Sequence, residues 1–63
     1  MADKLQSLAE RENRTRSKIA SLVDMEIAAV LDGNDPSHSD QIVRLNQDLA
    51  IIHAAIERLR RPA

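Results

Sequence analysis

The stretch Ile42–Leu59, IVRLNQDLAIIHAAIERL, decides the fold. Ile42, Leu45, Leu49, Ile52, Ile56 and Leu59 recur at alternating spacings of three and four, which lines them along one side of a helix as a coiled-coil seam. Such a seam needs a covering helix, and the first half of the chain offers one. Ile19, Leu22, Val23, Ile27 and Val30 form a stripe at about 100° per residue, and Leu5 and Leu8 fall on the same side closer to the start. Between these apolar groups lies Arg11–Lys18, without one apolar side chain. The helical wheel turns Glu12 and Thr15 toward the core there, and Glu26 further along.

The ends of both helices are marked by capping residues. Asp3 with Gln6, or Ser7 with Glu10, can open the first helix. No Pro or Gly follows until Gly33, which stands where a left-handed C-terminal cap is expected. Asp35 then reads as a cap with Pro36 at the first helical position, and Ser37 with Asp40 as an alternative box. The spacing predicts helix 1 over about 3–32, a turn at 33–35, and helix 2 over about 36–60, fraying before Pro62. Two long helices joined by so short a turn pack antiparallel, so residues 1–63 form one all-α domain, a helical hairpin.

Placing Val30 beside Ile42 gives cross-helix pairs whose residue numbers sum to about 72. Val23 then meets Leu49, and Ile19 meets Ile52 and His53. The same register pairs Glu26 with Asn46, and Glu12 with Arg58, Arg60 or Arg61. The expected hairpin core is Ile19, Leu22, Val23, Ile27, Val30, Ile42, Leu45, Leu49, Ile52, Ile56 and Leu59.

Size makes a lone hairpin a poor resting state. Chains below roughly 70–80 residues seldom bury enough apolar surface without disulfides, metals or oligomerisation. This one has 63 residues and no cysteine, and it also lacks Phe, Tyr and Trp, so base-stacking platforms and aromatic cages are excluded. Apolar residues flank the seams: Met25 and Leu31 on helix 1, and Val43, Ala50, Ile51 and Ala54 on helix 2. These six form an expected dimer face, with small alanines permitting close approach in a four-helix bundle. The 72 register also leaves Leu5 and Leu8 overhanging helix 2, which again calls for a second chain.

Net charge is −1, yet the charges are segregated. Arg11, Arg14, Arg16, Lys18, Arg58, Arg60 and Arg61 crowd the open end, where Glu12 and Glu57 oppose them. Asp24, Glu26, Asp32, Asp35, Asp40 and Asp48 gather toward the loop against Arg44. In one reading two hairpins pack with loops at opposite ends and the fields cancel. In the other, the basic set is a partner-binding surface for an acidic protein or, as the alternative function, for nucleic acid.

Candidate chemistry is sparse. His38 near Asp35 and Asp40 reads as part of a capping turn, and His53 as a half-buried imidazole bonded locally. No Glu-x-x-His pattern or glycine-rich phosphate loop is present, so no catalytic, cofactor or metal residue is assigned. No apolar run nears the ~20 residues of a transmembrane helix, and the Met1–Lys4 start does not resemble a signal peptide. The expectation is a cytoplasmic, non-enzymatic interaction protein: a homodimer with another protein as partner, and neither membrane nor small-molecule substrate.

Overall fold

In the computed structural model, which describes residues 3–61, the chain enters its first helix at Asp3, whose carboxylate accepts the Leu5 N–H at 3.1 Å. Helix α1 runs Lys4–Leu31, 28 residues, from the earlier of the two candidate caps. It stops in a Schellman motif. Gly33 has φ +83°, its N–H donates to Val30 O at 3.0 Å, and the Asn34 N–H donates to Ala29 O at 2.8 Å. Only glycine takes that backbone conformation without Cβ strain.

Helix α2 runs Ser39–Arg60, 22 residues, and starts three residues later than the Asp35-Pro36 signal implies. Pro36 is not helical, and neither Asp35 nor Ser37 supplies the cap. His38 is the N-cap residue without a side-chain cap bond of its own. The anion at this helix start comes from the other helix, as described below. Pro62 lies outside the described residues. Asp40 in the first turn of α2 and Arg58 and Arg60 in its last turn complement the macrodipole.

The helices pack antiparallel in a single layer 52 × 19 × 11 Å in extent. The register differs from expectation. Glu12 pairs with His53 and Glu26 with His38, so partner numbers total 65 and 64 where the sequence suggested about 72. The shift is one heptad, a slide of about 10 Å. Faces repeat every seven residues, so the slide preserves which sides meet and changes only their level.

That slide redistributes burial. Leu22 and Ile52, each 8 % exposed, are the buried residues among those described. Ile19, Ile42, Leu45, Leu49 and Ile56 are half-buried, as are Leu5 and Leu8, which no longer overhang because α2 now reaches them. Ala29 and Ala55, absent from the expected core, are half-buried too. Val23, Ile27, Val30 and Leu59, expected inside, are exposed in the hairpin. Ile27 and Val30 lie past the level where α2 begins, Val23 stands on the flank of the seam, and Leu59 meets only the first turn of α1.

Candidate functional site

Three features carry polar or recognition chemistry: two cross-helix His–Glu pairs, an apolar groove, and the basic end. The loop-end pair centres on Glu26. Its Oε1 accepts the Ser37 N–H at 3.3 Å, the His38 N–H at 3.0 Å and the His38 Nδ1–H at 2.6 Å. A carboxylate on α1 therefore caps α2, where the helix dipole favours negative charge. Glu26 Oε2 is buried with no partner, so one oxygen carries the whole interaction. The expected Glu26–Asn46 contact does not form: Asn46 Nδ2 donates to Ile42 O on its own helix at 2.9 Å. Nor does His38 turn to Asp35 or Asp40; Glu26 holds it.

The second pair spans the Arg11–Lys18 band. Glu12 Oε2 lies 2.5 Å from His53 Nε2 and 3.6 Å from Arg16, whose guanidinium also stands 3.5 Å from His53. Glu12 is thus paired with His53 and with its own helix in place of Arg58, Arg60 or Arg61, the heptad slide having moved those arginines past it. His53 bonds across the hairpin, where the sequence suggested a local partner. Thr15 reaches its half-buried position by donating its hydroxyl to Arg11 O at 2.8 Å, which satisfies it within α1.

The groove lies at the loop end. Val23, Ile27, Val30 and Leu31 of α1, Pro36 of the connection, and Ile42 and Val43 of α2 line an apolar depression of about 490 Å³. On the other face a more polar hollow of about 350 Å³ runs between Leu8, Arg11 and Thr15 of α1 and Asp48, Ile51 and Ala55 of α2. These two depressions divide the expected dimer face. Leu31 and Val43 share the groove, and Ala50, one heptad from Val43, continues its side. Ile51, 68 % exposed, belongs to the opposite hollow. On the wheel Met25 falls on that opposite flank, and Ala54 on the back of α2. The six residues are not one patch. Sequence reasoning missed Val23, Ile27 and Val30 as surface because their stripe is continuous with the true core.

At the open end, Arg14 lies 4.0 Å from Glu10 and Arg16 pairs with Glu12, so both arginines have partners on their own helix. Among the described residues, Arg11, Lys18, Arg58, Arg60 and Arg61 make no ion pair. No helix among these residues is long and apolar enough to cross a membrane, and no three His or carboxylate side chains group as a metal site. Compared with protein families, with curated proteins and with solved structures, the chain matches none.

Proposed function

We propose that this chain is a non-enzymatic interaction protein of the cytoplasm, working as a homodimeric four-helix bundle through protein–protein contacts, as an adaptor, accessory subunit or inhibitor does. The observation that carries the reading is the shortage of burial. Among the described residues only Leu22 and Ile52 are buried, while Met25, Ile27, Val30, Leu31, Val43 and Ile51 are each more than half exposed. The hairpin exposes 5293 Å², against about 4,000 Å² for a compact chain of this mass. The excess is comparable to the roughly 800 Å² that a standard interface removes from each partner. A second chain is the simplest cover for it.

Sedimentation equilibrium tests the reading: the expected species at micromolar concentration has twice the 7.0 kDa chain mass. A monomer with intact helices refutes it. The alternative, a nucleic-acid regulator, is favoured by one observation: Arg11, Arg58, Arg60 and Arg61 gather at the open end and make no ion pair among the described residues. It requires affinity for duplex or hairpin RNA that falls steeply with salt, and no shift of either probe at low salt removes it.

A further inference from the structure

We infer that the apolar groove face docks a second copy of this chain laid antiparallel, with the loop of each copy over the open end of the other. The inference rests on the homodimer reading and adds to it a face and a polarity.

Continuity of the surface selects the face. Ala20 stands one heptad before Ile27, and Ala50 one heptad after Val43, so both lie on nearly the side that the groove occupies. Both are exposed, and both sit near the middle of the 52 Å rod. A twofold axis through that midpoint places these alanines near the centre of the contact, where small side chains let helix backbones approach closely.

Charge selects the polarity. Asp24, Asp32, Asp35 and Asp40 lie on the loop half, whereas Arg11, Arg14, Arg58, Arg60 and Arg61 crowd the open end. Loops at opposite ends bring each acidic end beside a basic one. A parallel pairing, or an overlap of loop on loop, sets acid against acid.

Area agrees. A face of 52 × 19 Å outlines about 1,000 Å² per copy, enough for a standard interface, whereas loop-on-loop overlap covers only a fraction of it. In the antiparallel seat, Ala9 of the partner subunit comes level with Ile27, and Arg60 of the partner subunit comes level with Leu31. Its aliphatic stem covers apolar surface there while the guanidinium reaches toward Asp32 and Asp35. The opposite face, with Asp48 and Ile51, is left open.

A spin label reads the polarity directly, because the chain has no cysteine and Asn34→Cys creates one attachment point at the loop tip. Double electron–electron resonance on the full chain is expected to give a distance near the 52 Å length of the hairpin. A distance below about 20 Å, the reach across two adjacent hairpins, overturns the antiparallel seat while leaving the homodimer standing. No inter-label distance together with a monomeric mass overturns the homodimer reading as well. The face is read by Ile27→Asp against Ile51→Asp, both at exposed positions, with helicity checked by circular dichroism. Ile27→Asp is expected to weaken dimerisation at least about tenfold and Ile51→Asp less than about threefold. The reverse ranking places the interface on the other face and refutes the assignment.

Discussion

Glu26 belongs to α1 but serves as the anion at the start of α2, because its Oε1 stands within hydrogen-bonding range of the Ser37 and His38 N–H groups. Removing it leaves those donors and the imidazole without their acceptor. Glu26→Ala is therefore expected to lower stability by about 1–2 kcal/mol in urea melts. Asn46→Ala, which loses only a bond to its own helix, should stay within about 0.5 kcal/mol. A larger loss for Asn46 would restore the pairing that the sequence suggested. Gly33 makes a second prediction at this scale. Nothing lies within 4 Å of an added Cβ, so Gly33→Ala meets no clash, but φ +83° still strains any L side chain. The expected cost is about 1 kcal/mol, seen as a lowered melting temperature.

At the scale of the helices, the question is level. The seam repeats every seven residues, so a slide of one heptad keeps leucine and isoleucine rows in contact and is nearly invisible to hydrophobic patterning. Polar side chains break that degeneracy. With Glu12 level with His53 and Glu26 level with His38, both half-buried carboxylates of α1 find imidazoles, and the two histidines of the chain are both used. Polar layers of this kind set register in coiled coils at some expense of stability. A double-mutant cycle reads the level. Glu12 and His53 should show a coupling of about 0.5 kcal/mol, modest because the imidazole is half exposed, whereas Glu12 and Arg60 should show none. Coupling to Arg60 alone would return the helices to the 72 register. Legibility followed the same line: both helices, the Gly33 cap and the inward turn of Glu12, Thr15 and Glu26 can be read from spacing, but the start of α2 cannot. Asp35-Pro36 is a sound local signal that loses to a carboxylate arriving from 11 or 12 positions earlier in the chain.

The whole molecule is a thin rod. Its radius of gyration is 15.1 Å, against about 11 Å for a globular chain of this length. A single layer of two helices has a seam but no interior, so every flank residue remains in water unless another chain covers it. Under the proposed homodimer, stability is tied to association, and the melting temperature should rise with protein concentration across the micromolar range. Ile27→Asp should flatten that dependence. A melting temperature independent of concentration, with a monomeric mass, would leave the groove as the surface of a lone hairpin.

The sequence alone determined the two helices, their antiparallel order and the central rows of the seam around Leu22 and Ile52, because backbone capping and seven-residue periodicity are local properties written in consecutive residues. Tertiary structure decided the level at which the helices meet, the carboxylate that caps α2, and the division of the apolar flanks into a groove and an opposite hollow. Those depend on which side chains distant in sequence come within hydrogen-bonding reach, and a repeating pattern offers several alignments of nearly equal hydrophobic energy from which only the polar contacts choose.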